Sequence, residues 1–355
     1  MTGPTVVVGL DQGGSVINAT VFGGGGTFLL GELVETPSLV LDGPEPAMTA
    51  LVDAFDAVLA RIGIARSAVR AVGLDTPGPA SADGRISSLG STNFGHDGWR
   101  GYDIRGALED LIGLPVTYAN DGNAAALYAH QMHFGALGPE RSSMSAIVGT
   151  GLGGGLVQDG RVISGAAGMA GEVGHVHIPM LGLLADGQPL PRCNCGLSGD
   201  AESIASLTGI RRNLLPFWLE RFPDHPLHAL EPGEAAKQVR TYAEQGDAMA
   251  LAIFAQQAQA IGALFTIVSN LTDPHGFFLG GGVVEAAPHF RDWFLRRVQE
   301  ATRLRAEQES VVTFALVPDR DMAGARGAAL AAAGAHAARA RPTVQEQRSQ
   351  SVMPE

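Results

Sequence analysis

Cysteine is nearly missing from these 355 residues: Cys193 and Cys195 are the only two, one residue apart. A disulfide across a single residue is badly strained. The pair is therefore read as free thiols or metal ligands in a reducing compartment, and a cytosolic location is expected. An excess of basic charge is missing too. The formal charge of −12 argues against a nucleic-acid or anionic-membrane surface, either of which needs a basic patch. The opening MTGPTVVVGLD has no basic region followed by a long apolar run, so no signal peptide is expected. No G-x-x-x-x-G-K-[ST] occurs anywhere, which removes the lysine-bearing P-loop. The most apolar stretch, 248–268, is interrupted by Gln256, Gln257 and Gln259 and is read as a buried helix rather than a membrane span.

Glycine is abundant, at 48 residues, with 45% hydrophobic and 17% charged residues. That describes a globular, loop-rich chain, long enough for about two ordinary domains. Its densest stretch is Gly149-Thr150-Gly151-Leu152-Gly153-Gly154-Gly155, which follows a short apolar strand, Ala146 to Val148. Without Cβ atoms, backbone N–H groups there can approach a phosphate. Gly149, Gly151 and Gly154 match G-x-G-x-x-G, but that dinucleotide fingerprint needs a helix to begin at the glycines. Here Leu156-Val157-Gln158, Asp159-Gly160 and Arg161-Val162-Ile163 follow, a hairpin signal. The loop belongs to a β-meander, and a phosphate loop between two strands is the reading that remains.

Taken in order, Thr5 to Leu10 is a strand running into Asp11-Gln12-Gly13-Gly14-Ser15, with further strands at 16–22 and 27–34. This start is either a backbone phosphate cradle with a carboxylate positioned to hold a metal-bound water, or a plain hairpin. Glu45 to Ile62 has helical spacing, and 69–74 is a strand into the rigid loop Asp75-Thr76-Pro77-Gly78-Pro79. Ser87, Ser88, Ser91, Thr92, Asn93 and Trp99 suit a sugar's hydroxyls and ring face, or form a solvated loop. The strand 115–119 ends at Asn120-Asp121, where an open α/β sheet places its chemistry; the alternative is a helix N-cap. Helices at 203–219, 232–245 and 247–270, a strand at 277–279 into Gly280-Gly281-Gly282, a helix to Arg305, a strand at 311–317 and an Ala-rich helix at 320–339 complete the order. The polar end from Pro342 on is expected to be disordered.

Five motifs in this order resemble the repressor–ORF–kinase (ROK) family of sugar kinases, over roughly residues 5 to 338. Asp11 to Ser15 resembles its first phosphate motif, with Ser15 where Thr is usual, and Asn120-Asp121 its sugar-binding and catalytic pair. Gly149 to Gly155 resembles its second phosphate motif. Gly171 to His175, with Cys193 to Glu202, resembles its signature and zinc segment, and Gly280 to Gly282 its adenosine loop. Position 200 departs, being Asp where the family has a third Cys, and Pro179 to Arg192 form an extra loop.

The resemblance implies an α/β fold of two RNase H-like domains of the actin/hexokinase/Hsp70 type with a cleft between them. The first is expected over 1–122 joined by the helix at about 322–340, the second over 123–321, with a tail from 341 to 355. It implies ATP-dependent phosphorylation of a hexose primary hydroxyl, glucose leading, with Asp121 as general base. Asn93, Asn120, Asp121, Glu172, His175 and Glu202 would hold the sugar. Asp11, Gly13, Gly14, Ser15, Thr150, Gly151, Gly281 and Gly282 would hold ATP and Mg²⁺. A structural Zn²⁺ would sit on His175, Cys193, Cys195 and Asp200, a carboxylate being an acceptable ligand; otherwise the site is lost and the two cysteines are buried thiols. Fructose, mannose, allose or N-acetylmannosamine would use the same groups as glucose. A homodimer is expected, without nucleic-acid or membrane partners. The competing classes are a sugar-sensing regulator, which needs a helix-turn-helix ahead of Asp11, and an inactive sugar-binding protein.

Overall fold

The structure, a computed structural model, describes residues 6–78, 81–87, 93–318 and 320–339. Ser88, Ser91 and Thr92 of the expected sugar loop, and the tail beyond 339, lie outside them. In chain order the elements are β1 (Val6–Gln12), β2 (Val16–Gly23), β3 (Val34–Pro37), α1 (Pro44–Ile62), β4 (Val69–Thr76), α2 (Ile104–Ile112), β5 (Val116–Asn120) and α3 (Asp121–Phe134). They continue through β6 (Ser143–Val148), β7 (Leu152–Gln158), β8 (Arg161–Val162), α4 (Leu207–Gly209), α5 (Leu215–Leu219), α6 (Pro232–Glu244) and α7 (Ala248–Thr272). The last are β9 (Gly276–Gly281), α8 (Pro288–Ala301), α9 (Ala306–Glu309), β10 (Thr313–Leu316) and α10 (Arg320–Arg339).

Two compact units emerge, one of residues 1–124 with 321–355, the other of residues 125–320. Each holds a five-stranded sheet, in the orders β3-β2-β1-β4-β5 and β10-β9-β6-β7-β8. Read from the other edge, the second order repeats the first: an antiparallel meander of three strands, then two strands added parallel to its first. No repeat is visible in the residues, because it is carried by topology alone. The two glycine-rich turns fall in the same slot of each unit, between the first and second strands.

In the first unit, Val6, Val8 and Leu10 alternate onto a core with Leu51, Phe55 and Val58 of α1, the period-2 and period-3.6 stripes meeting as expected. The other face of the sheet is covered by α10. Contact is backbone to backbone: a Cβ at Gly73 would stand 1.9 Å from the carbonyl oxygen of Ala328, and one at Gly9 2.0 Å from that of Ala325. Only glycine admits this approach. A Gly73→Ala variant is therefore expected to lose about 3 kcal/mol or more, read as a lowered urea midpoint. Unchanged stability would mean that α10 does not dock this way.

In the second unit α7 crosses the core with Ile253, Phe254, Ile261, Leu264 and Phe265 buried. Among the described residues it is the one helix long and apolar enough to cross a membrane, but most of that stretch is buried in protein. Its glutamines are anchors. The Gln256 amide donates to Leu183 O at 3.1 Å and accepts from Trp218 Nε1 at 2.8 Å, and Gln257 donates to Ile204 O at 3.0 Å. Gln188 of the extra loop also meets Gln256, at 2.6 Å, so the inserted loop is tied to the core helix.

Three expected elements shift. The third strand begins at Val34 rather than Thr27, with a single bridge, Phe22 to Phe28, in the stretch before it. The helix expected from Ser203 begins at Leu207, because Ser206 caps it through Gly209 N–H at 2.8 Å. The helix expected to reach Arg305 stops at Ala301.

Candidate active site

In the first unit β1 delivers Asp11 to the sheet edge, and Gly13 to Ser15 turn the chain. Gly13 N–H donates to Val16 O at 2.9 Å, and the Ser38 hydroxyl donates to Gly13 O at 2.6 Å. Asn18 Nδ2 holds Asp11 Oδ2 at 3.1 Å. Asn93 lies against the turn, its Oδ1 2.9 Å from where a Cβ on Gly14 would stand. Trp99 corrects the expectation of an aromatic for a sugar face. It is fully buried, meets Phe94 and Tyr102 edge-on, and donates its indole N–H to Val40 O at 2.8 Å. The ring is core.

The strand-end pair divides its labour. Asn120 Oδ1 accepts from Gly122 N–H at 2.9 Å and Asn123 N–H at 3.4 Å, which is the N-cap of α3. Asp121 is the first helical residue, exposed, with Oδ1 2.7 Å from Gly122 N. The cap that could have accounted for Asp121 is supplied by its neighbour.

In the second unit the turn Gly149-Thr150-Gly151 is braced from one side. Leu207 N–H donates to Gly149 O at 2.9 Å and Thr208 N–H to Thr150 O at 3.1 Å. Beside the turn lies a groove of about 490 Å³ lined by Gly149, Thr150, Gly281, Gly282, Lys237 and Arg240, with Phe254 and Ile210 as apolar walls. Gly281 has φ +87°, and a Cβ there would stand 2.1 Å from Val148 O, so β9 can leave the sheet here only as glycine. Arg240 donates to Gly282 O at 2.7 Å and pairs with Glu285 at 3.4 Å. Gly151 does not line the groove. It faces Glu202, whose Oε2 would be 2.6 Å from its Cβ.

Glu202 joins this turn to the metal-ligand cluster. Its Oε2 accepts Leu152 N–H at 2.9 Å, and the Cys193 thiol donates to its Oε1 at 3.4 Å. One ligand atom from each of His175, Cys193, Cys195 and Asp200 lies within 4.8 Å of the others. His175 Nδ1 is 3.3 Å from Asp200 Oδ2 and 3.8 Å from Cys193 Sγ, and the Cys195 thiol reaches Asp200 Oδ2 at 3.6 Å. His177, two residues on, is not in the group. Burial pushes the Cys193 thiol well above its ordinary range. Burial would also raise Asp200, but hydrogen bonds from Cys193, Ser203 N–H, His175 and Cys195 outweigh it and hold the carboxyl below its ordinary value. Glu172 is exposed at its edge, yet the surrounding protein raises its carboxyl; His175 offsets part of this and Glu202 adds to it. Two thiols, an imidazole and a buried carboxylate make a four-member, soft-to-borderline donor set, whose chemistry fits zinc.

The expected residues thus gather in two groups, Asp11, Gly13, Gly14, Ser15, Asn93, Asn120 and Asp121 in the first unit and Thr150, Gly151, Glu172, His175, Cys193, Cys195, Asp200, Glu202, Gly281 and Gly282 in the second. Lys237 and Arg240 escaped the sequence reading. Their signal was present: Lys237 is the only lysine in the chain, with an arginine one helical turn on.

A family model described as ROK family matches residues 7–335. A glucokinase of Halalkalibacterium halodurans is 31% identical over 318 residues, 84% of this chain and 89% of its own. An N-acetylmannosamine kinase of Citrobacter koseri is 30% identical over 85% of this chain and 90% of its own. The crystal structure of a ROK family glucokinase from Streptomyces griseus, in complex with glucose and AMPPNP, superposes with a TM-score of 0.62 at 28% identity, covering 93% of this chain and 99% of that one.

Proposed function

The chain belongs to the ROK family, and from that premise we propose that it transfers the terminal phosphoryl group of ATP to the primary hydroxyl of a hexose, glucose first. Its two sheets are those of the actin/hexokinase fold, and it is an ATP-dependent sugar kinase. The observation that carries the catalytic reading is Asp121, a carboxylate exposed at a strand's end whose helix cap Asn120 supplies. A primary hydroxyl is a poor nucleophile, and Asp121 accepts its proton as the bond to phosphorus forms. The rest is alignment and charge neutralisation.

ATP is held by Gly13, Gly14 and Ser15 of one turn and Thr150 and Gly151 of the other, with Gly281 and Gly282 beside the base. Lys237 and Arg240 stand at the same groove. Asp11 would hold Mg²⁺, which would supply the positive charge that no P-loop lysine provides. Asn93, Asn120, Glu172, His175 and Glu202 receive the sugar hydroxyls. His175 would serve twice: its Nδ1 lies beside Asp200 and Cys193, and with zinc on that nitrogen the ring proton would sit on Nε2, free to be donated to a hydroxyl. His175, Cys193, Cys195 and Asp200 would hold zinc, which would fix the turn that carries Glu202. We place the protein in the cytosol as a homodimer.

Glucose is favoured because two carboxylates and an imidazole suit the free ring hydroxyls of a pyranose, and a relative named glucokinase is among the best matches. Mannose, fructose, allose and N-acetylmannosamine would meet the same groups. ADP release measured across hexoses and N-acetylhexosamines decides between them. Highest kcat/KM on glucose is expected; a clear preference for N-acetylmannosamine would reassign the substrate, and no release with any sugar would end the kinase reading.

Gly151→Val tests the second turn. Its side chain would displace the Glu202 carboxylate that holds Leu152 N–H, and overpacking of this kind costs about 1–3 kcal/mol. ATP affinity is expected to fall about tenfold or more, and calorimetry showing unchanged ATP affinity in a folded variant would remove this turn from the nucleotide site.

A further inference from the structure

Asp75 stands on β4 directly opposite Asp11 of β1, the two strands running parallel. Residues paired in this way share one face of the sheet, so the two carboxyl groups are neighbours. Asp75 is fully buried, and apart from the facing Asp11 carboxyl neither of its side-chain oxygens meets a hydrogen-bond partner among the described residues. The Asn18 amide donates to Asp11 Oδ2 at 3.1 Å. Asp121, at the end of the adjoining strand, adds a third acidic group on the same side, close enough for its charge to be felt at Asp75. No Lys, Arg or His forms an ion pair with Asp11 or Asp75 among the described residues. α10 closes over the pair: a Cβ on Gly324 would stand 2.8 Å from Asp11 Cγ.

Such an arrangement is costly. A buried charge is normally paired or bound to metal, and an unsatisfied buried carboxylate calls for an explanation. Burial and the facing carboxylates push Asp75 well above its ordinary range, and burial raises Asp11 as well. Two adjoining carboxyls form a hard, all-oxygen donor set, which selects cations of the Mg²⁺ and Mn²⁺ class over softer metals.

We infer that Asp11 and Asp75 together bind one divalent cation, with Asp75 a direct ligand, and that this site exists before nucleotide arrives. The inference deepens the reading in which Asp11 serves the Mg²⁺ of ATP. Asp75 then anchors the ion to the protein, so that binding of metal does not wait for the phosphates.

Mn²⁺ is the probe, followed by electron paramagnetic resonance on zinc-saturated protein without ATP or sugar. The readout is independent of kinase activity, so it can fail while the kinase reading stands. One bound Mn²⁺ per chain is expected, displaced by excess Mg²⁺. Asp75→Asn keeps the shape and removes the charge. Loss of an outer-sphere partner already costs a metal site about 10–100-fold, so this variant is expected to weaken Mn²⁺ by at least tenfold, with its melting temperature monitored to confirm folding. Wild-type protein that binds no Mn²⁺ without nucleotide overturns the proposal, and needs no variant. Equal Mn²⁺ affinity in a folded Asp75→Asn protein also overturns it, leaving the two carboxyls to share a proton instead.

Discussion

Asp121→Asn is expected to leave a protein that still binds its hexose and ATP but turns over about 10² to 10⁴-fold more slowly. The asparagine is nearly isosteric and can still accept from Gly122 N–H, which lies 2.7 Å from Asp121 Oδ1. It cannot take up a proton from the sugar hydroxyl. The fold should not suffer, because the cap of α3 rests on Asn120. Asn120→Ala is the complement: it removes the cap, at about 1 kcal/mol, together with the sugar contact assigned to Asn120, and leaves the carboxylate, so its rate at saturating sugar should stay far above that of Asp121→Asn. ADP release with the best hexose and calorimetry of sugar binding separate the two effects. An Asp121→Asn protein retaining more than about half of its rate, against the 10²-fold loss that a missing base entails, would end the assignment.

The second large effect concerns the group formed by His175, Cys193, Cys195 and Asp200. Protein purified without chelator or immobilised nickel is expected to carry about one zinc per chain. Asp200→Ala removes the buried carboxylate that meets His175, Cys195 and the backbone of Ser203, and should lose the metal. With it goes the fixed placement of Glu202, so sugar affinity is expected to fall about 10–100-fold. Asp200→Cys should keep the zinc and hold it at least as firmly, since a thiolate is the softer ligand. Metal-free protein that phosphorylates its sugar at full rate would dispose of the structural role.

Local chemistry explains what could be read from the residues. Asp159 and Gly160 both take positive φ, 49° and 72°, as a two-residue hairpin turn demands. The stripe of α1 points to a buried face, and the glutamines within α7 mark a helix inside protein. The failures are tertiary. Trp99 sits among polar loop residues, but only the folded chain brings Val40 to its indole. Ser203 reads as helical because nothing local shows that Asp200 claims its backbone N–H, at 2.9 Å. Asp75 reads as the head of a rigid loop until β1 is set beside β4. The meander-plus-two pattern repeats without residue identity, since many apolar sequences build the same strand order.

The placement of α10 has a consequence for biosynthesis. The second unit is one continuous stretch, 125–320, whereas the first has a gap in sequence that only residues beyond 320 close. On the ribosome the first sheet emerges early but with Gly9, Gly73, Val7 and Ala71 uncovered on the face that α10 will take. The usual order, in which the N-terminal domain matures first during synthesis, is therefore reversed: the later-made unit is complete while the earlier one still waits for its last helix. A stop codon before Arg320 would strip the older unit of its cover and leave the younger one whole.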